Sequence, residues 1–306
     1  MNQLRGTLKG VVTALGTPLD RNEDLHEEGM RQQIRMQLAA GVDGLLVLGS
    51  MGCMQMLKDE VFTEAVEVAI DEVRGAVPVI VGCGDTSTER TLARIRLAEN
   101  YPLAGVALIP PFIFRFSQAE LHEYFTGVAS GTSLPVYPYD NPALTGHSLE
   151  AELVRELARH PNIVGLKASG DFLTFRRSAE HFQGSEFAVL SGHTTFFDLA
   201  LKLGAVGIIE GLFALAPEYG VEIYRTFREG NPEGSAAAQR KLLRLREVVA
   251  YDSVFAGFTS AMNLRGVPGN FTPLPFAQPT QRGREQVEKV LRDLDLLNQG
   301  ESAGSA

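Results

Sequence analysis

A lysine closes a short apolar run, Ile163-Val164-Gly165-Leu166-Lys167, and is the residue of this chain best placed for covalent chemistry. Lysines are seldom buried unless they are paired or used. Burial disfavours the ammonium, and a neutral amine is a nucleophile whose natural partner is a ketone or aldehyde, giving a Schiff base. The plainer alternative is a strand-end lysine whose stem packs while its ammonium reaches water. Three other stretches favour the chemical reading. Pro138-Tyr139-Asp140-Asn141 offers a phenol, Gly49-Ser50-Met51-Gly52 a hydroxyl and a glycine-rich turn of amides, and Ile209-Glu210-Gly211 a carboxylate. Brought together, these groups suit a Schiff-base reaction on a 2-oxo acid. Lys167 attacks the ketone, Tyr139 moves protons, and the amides of Ser50 and Met51 with the Ser50 hydroxyl grip the carboxylate. Each part alone has a plainer reading: a packed aromatic, a tight turn, a structural acid.

The elements that must position these groups alternate from end to end. Apolar runs at 9–15, 44–48, 77–81, 105–109, 134–138, 162–166, 188–190 and 204–209 read as strands. Amphipathic segments at 26–40, 58–74, 89–100, 119–130, 149–159, 172–181 and 195–203 read as helices. Thr86 with Glu89, and Ser117 with Glu120, have the spacing of capping boxes. Such alternation calls for a parallel sheet with right-handed crossovers. The turn Gly82-Cys83-Gly84 runs into Asp85 and Thr86, which breaks a dinucleotide fingerprint and argues against an open nucleotide-binding sheet. The expected fold is therefore α/β, a (β/α)8 TIM barrel over residues 1–230 with a C-terminal helical extension over 231–306. That extension carries helices at 233–250, 253–264 and 282–297, with a proline-rich link at 268–279. In such barrels the carboxyl ends of the strands converge on one catalytic face. There the second strand ends at Ser50 and Met51, the fifth at Tyr139, the sixth at Lys167 and the eighth at Ile209 and Glu210.

Composition narrows the partners. The 306 residues are 44% hydrophobic and 21% charged, ordinary globular values, with a net charge of −9 and no basic block. Nucleic acid and anionic membranes are thus not expected as partners. Two cysteines, Cys53 and Cys83, show no metal-like spacing with histidine and read as two buried thiols without a redox role. No metal and no cofactor are expected, since an iminium is its own electron sink. Residues 1–9 lack the apolar core of a secretory leader, and no run is long enough to span a bilayer, so a cytoplasmic protein is expected. The small, polar tail at 298–306 is expected to fray. His193 is a candidate pocket residue, with no triad partner signalled beside it.

At these residues the chain resembles the dihydrodipicolinate synthase / N-acetylneuraminate lyase family of class I, Schiff-base-forming aldolases. The resemblance runs from Gly10-Val11-Val12-Thr13-Ala14 to the closing helices. It is carried by Gly49-Ser50-Met51-Gly52, Leu134-Pro135-Val136 followed by Tyr139, Pro142-Ala143-Leu144-Thr145-Gly146 and Gly165-Leu166-Lys167. Leu190-Ser191-Gly192 and the stretch 204–209 add weaker support. The resemblance implies that the Schiff-base lysine is Lys167 and the proton-shuttling tyrosine Tyr139. It implies that Ser50 and Met51 form the carboxylate-binding turn, that the backbone carbonyl of Ile209 lies near the reacting atoms, and that the chain is a homotetramer or dimer.

The departures are as informative. The family turn reads Gly-Thr/Ser-Thr-Gly-Glu, whereas here Met51 replaces a hydroxyl and Cys53 follows. Ile113 stands where the family commonly lends a second tyrosine to the proton relay, so the relay is shortened or another group replaces it. Leu144 stands where dihydrodipicolinate synthases place a substrate-binding arginine. Thr194 and Thr195 stand where sialic acid lyases use an Asp-Glu pair. Glu210 is an unusual acid beside the expected pocket floor, either touching substrate or held in a structural ion pair.

The reading that results is a Schiff-base-forming lyase, an aldolase or dehydratase, acting on pyruvate or a 2-oxo-3-deoxy acid through an imine on Lys167. Phe112, Ile113, Phe114, Leu144 and Met51 suggest an apolar distal pocket, and the run 112–114 suggests a symmetric interface. The alternatives are a non-catalytic or sensing barrel that retains the lysine pocket, or a divergent dihydrodipicolinate synthase. A phosphate-binding barrel lacks the basic glycine-rich turn it would need.

Overall fold

The computed structural model describes residues 8–297, so the tail expected to fray at 298–306 lies outside the described residues. Eight parallel strands form one closed barrel in sequence order: β1 (Gly10–Ala14), β2 (Gly44–Val47), β3 (Val79–Gly82), β4 (Gly105–Leu108), β5 (Val136–Asp140), β6 (Gly165–Ala168), β7 (Ala188–Ser191) and β8 (Gly207–Glu210). Because side chains alternate along a strand, each strand feeds two cores. Val12, Leu46, Ile80, Ala107, Tyr137, Leu190 and Ile209 fill the barrel interior. Val11, Leu45, Val81, Val106, Val136, Leu166 and Ile208 face the helices. The seam between β8 and β1 needs glycine, since a Cβ on Gly207 would lie 2.1 Å from the Gly10 carbonyl oxygen.

Helices α1 (Glu27–Ala40), α2 (Asp59–Val73), α3 (Thr88–Ala98), α4 (Gln118–Ser130), α5 (Pro142–Thr145), α6 (Ala151–Leu157), α7 (Phe172–Phe182) and α8 (Phe197–Lys202) lie between the strands. Then come α9 (Pro217–Arg228), α10 (Pro232–Leu245), α11 (Val254–Leu264) and α12 (Gln281–Asp293). The (β/α)8 barrel with C-terminal helices is thus borne out. The helix α9 was not expected. Its low-propensity Gly220 masks the helical pattern, yet is required there because a Cβ would lie 2.7 Å from the Phe213 ring.

The capping box of Ser117 and Glu120 forms as expected. The other does not: α3 is capped by Ser87, whose hydroxyl accepts from the Arg90 amide. Thr86 is drawn away because its amide and hydroxyl both donate to Asp85, which also binds Arg90 and Arg94. Strands β5 and β6 also lie later than expected. Asn162 is no strand residue: its amide donates to the carbonyls of Ala129, Thr132 and Leu134 and ties a loop together. The shift matters, because it sets Lys167 inside β6 rather than beyond its end.

Candidate active site

Strand pairing builds the centre of the site. Tyr139 of β5 and Lys167 of β6 are register partners, and the pleat turns both side chains into the barrel mouth. Both are buried, at 5% and 3% exposure. The Lys167 Nζ lies 3.8 Å from the centroid of the Tyr139 ring, a cation over a π face, and also reaches the phenol oxygen. That oxygen has two further partners, Ser50 Oγ at 3.1 Å and Asn141 Nδ2 at 2.7 Å. Burial pushes the Tyr139 phenol up, but the Lys167 charge and the bonds from Ser50 and Asn141 outweigh it, and the net direction is down. The result is a phenol suited to exchanging protons beside an amine.

The remaining expected residues gather around this pair. Met51 packs against the interior cluster and crosses the mouth to β8, where its sulfur would lie 2.9 Å from a Cβ on Gly211. Ile209 contributes its side chain to the interior wall. Glu210 ends β8, and its carboxylate accepts from the Leu212 amide and from Thr194. Burial raises its pKa, while the Lys167 charge opposes the rise. Gln239 of α10 donates to the Thr194 carbonyl at 2.7 Å, so the C-terminal helices brace this side of the rim.

Other residues stand apart from this group. Ile113, Phe114 and Leu144 are 77%, 72% and 57% exposed, so they form an outer rim and not the apolar pocket wall expected of them. Two links turn this rim outward. The Arg115 guanidinium donates to the Gly146 carbonyl, and His147 Nε2 meets the Phe114 carbonyl at 2.8 Å. Ile113 adopts a positive φ of 86°, a strained conformation for a β-branched residue. His193 stacks on Phe196 at 4.5 Å between centroids, and burial lowers its pKa. Its Nε2 is buried without a hydrogen-bond partner among the described residues. Cys53 and Cys83 are buried free thiols, and burial pushes both up to about 12.

Two residues of this region were passed over in the sequence. Asp140 is buried on the helix side of β5, where its carboxylate accepts from the Leu149 amide at 3.0 Å. Burial pushes it up to about 6. Asn141 was visible only as a residue preceding Pro142. The available signal was an asparagine in a helix-start position that carries a chemical neighbour two residues back.

The family model of the Dihydrodipicolinate synthetase family matches residues 7–294. The 4-hydroxy-tetrahydrodipicolinate synthase of Methanospirillum hungatei is 31% identical over 290 residues, 94% of this chain and 99% of its own. YagE of Escherichia coli K12, provisionally named a 2-dehydro-3-deoxy-D-gluconate aldolase, is 32% identical over 293 residues, 94% of this chain and 97% of its own. The crystal structure of YagE in complex with pyruvate gives a TM-score of 0.89 at 30% identity, covering 95% of this chain and all 100% of that one. Dihydrodipicolinate synthase of Thermotoga maritima gives 0.90 at 30% identity, covering 95% and 99%. The chain belongs to the dihydrodipicolinate synthetase family, whose members are Schiff-base-forming lyases acting on pyruvate and related 2-oxo acids.

Proposed function

We propose that Lys167 forms an imine with the keto carbon of pyruvate or a 2-oxo-3-deoxy acid, and that Tyr139 carries the protons. The observation that supports this reading most is the β5–β6 register, which sets a buried amine against a buried phenol with a lowered titration point. Attack on the ketone needs the neutral amine, and the adjacent phenolate accepts the proton it sheds. The carbonyl oxygen, protonated through Tyr139, leaves as water and an iminium remains. In retro-aldol cleavage, Tyr139 removes the proton of the hydroxyl carried by the far carbon of the bond that breaks, and that carbon leaves as an aldehyde. The electron pair of that bond moves into the iminium, giving an enamine that is protonated and hydrolysed to free the keto acid. In dehydration, loss of the proton on the carbon beside the iminium gives an enamine with the carbon chain intact. This enamine expels the hydroxyl of the next carbon, which takes up a proton and leaves as water.

The Ser50 hydroxyl and the amides of Ser50 and Met51 hold the substrate carboxylate, with the carbonyl of Ile209 near the reacting atoms. Glu210 opposes the positive charge on the nitrogen and holds the rim through Leu212 and Thr194. On the same reading the chain divides at 230 into barrel and helical extension, and the protein is cytoplasmic. No helix among the described residues is long and apolar enough to cross a membrane. The exposed Ile113 and Phe114 favour a homo-oligomer, a dimer or tetramer, in which a second copy covers them.

The test is incubation with pyruvate and borohydride, followed by intact mass and peptide mapping. One reduced adduct on Lys167, absent from Lys167→Ala, is expected. No adduct with pyruvate or larger 2-oxo acids, or an adduct on another lysine, refutes the assignment.

A further inference from the structure

We propose that Asn141 is the positioning residue that tunes Tyr139, filling within this chain the place in the relay left without a hydroxyl at Ile113. The inference rests on the reading of Tyr139 as proton carrier. Its ground is where the Asn141 side chain goes. Asn141 is the first, half-in residue of α5, a position where asparagine ordinarily bonds a free amide of the helix start. Here the side chain makes no such bond. It donates instead to the Tyr139 oxygen at 2.7 Å, the shortest contact that oxygen makes with Ser50 or Asn141.

The backbone leaves Asn141 little freedom to do otherwise. Its carbonyl accepts from the amides of Leu144 and Thr145 and from the Thr145 hydroxyl, and Pro142 follows at once. The side chain therefore hangs from a pinned turn, directed at the phenol. Ile113 sits in solvent, 77% exposed, and supplies nothing to that oxygen.

The hydrogen-bond inventory then fixes the direction of the relay. A phenol oxygen has one proton and two lone pairs. An amide nitrogen can only donate, so Asn141 occupies one lone pair, while the Lys167 Nζ lies over the ring face. Of the two side chains hydrogen-bonded to the oxygen, only Ser50 Oγ can accept, and the Tyr139 proton points to it. When Tyr139 is ionised, Asn141 still donates, now to a charged acceptor, which strengthens the bond. Asn141 thus favours the phenolate and aims the neutral phenol at Ser50, the residue next to the substrate carboxylate.

The experiment is a spectroscopic titration of tyrosine ionisation in the intact protein. The chain has seven tyrosines and no tryptophan, so phenolate absorbance is read without an indole background. One phenol is expected to ionise below the others in the parent protein and to vanish in Tyr139→Phe. Asn141→Leu moves that phenol up by about one pH unit or more, the size of one lost bond to a charged group. Asn141→Asp keeps the shape of the side chain, opposes the phenolate, and moves it up at least as far, so the test survives poor folding of the leucine variant. A phenol that stays in place in both variants overturns the inference. So does a downward move in Asn141→Leu, which would make the asparagine an acceptor, or the absence of any early-ionising tyrosine in the parent. No substrate is needed, so failure of borohydride trapping and failure of this shift are separate results.

Discussion

Replacing Asp140 by asparagine should stabilise the protein at neutral pH while leaving it no more stable than the parent at acid pH. Asp140 is 2% exposed on the helix side of β5, with the Leu149 amide donating to it and Gly170 packed against its second oxygen. Burial, with the Asp171 charge adding to it, raises its carboxyl from 3.8 to about 6, against the lowering effect of the Leu149 bond. The folded state therefore holds a proton that the unfolded chain has already released, across the window from about pH 4 to about pH 6. Where the native state binds the extra proton, stability falls as pH rises. A rise of this size corresponds to roughly 3 kcal/mol lost by the time the carboxylate is fully charged. Asparagine keeps an oxygen for Leu149 and removes the charge. Its amide nitrogen, placed against Gly170, costs about 1–2 kcal/mol if it finds no acceptor. The net gain at about pH 7.5 is then about 1–3 kcal/mol. Urea unfolding followed by circular dichroism, at several pH values from about 4 to about 8, measures it. The difference between variant and parent should lie between zero and about −2 kcal/mol at the acid end, rise through the window and level off above it. A parent whose stability does not fall through that window, or an Asp140→Asn protein no more stable than it at neutral pH, refutes the argument.

Trapping kinetics separate the two ionisable neighbours of Lys167. Tyr139→Phe should slow formation of the pyruvate adduct by about 10²–10⁴-fold, the usual worth of a positioned proton carrier. Glu210→Gln keeps an acceptor for the Leu212 amide and removes only a charge, worth on the order of 1–2 kcal/mol, so its loss should stay near tenfold. Equal losses in the two, or none in Tyr139→Phe, would dissolve the division of roles. Light scattering at micromolar protein should show an oligomer that Ile113→Lys with Phe114→Lys weakens; a monomeric parent removes the proposed interface.

Much of the barrel was legible because its physics is local. Each strand is a short apolar run and each helix an amphipathic one, so their alternation survives in one dimension. The misses share a cause: a residue whose local preference yields to a tertiary neighbour. Gly220 breaks the pattern of α9 because Phe213 needs the space. Thr86 loses its cap because Asp85, held by two arginines, claims it. Asn162 leaves the strand because three carbonyls of another loop surround its amide. Asn141 abandons its helix for a phenol.

By itself the sequence determined which groups are available: an amine after an apolar run, a phenol one strand earlier, a glycine-rich turn, and eight elements able to close a sheet. Those are properties of residue type and spacing, and they point to imine chemistry before any coordinate is known. Only the tertiary structure decided the rest. Register between β5 and β6 put Lys167 against Tyr139. The ties from Arg115 to Gly146 and from His147 to Phe114 sent the apolar rim outward. A pinned turn gave Asn141 to the phenol. Burial and partner choice depend on residues far apart in the chain meeting in space, and that closeness exists only once the barrel has closed.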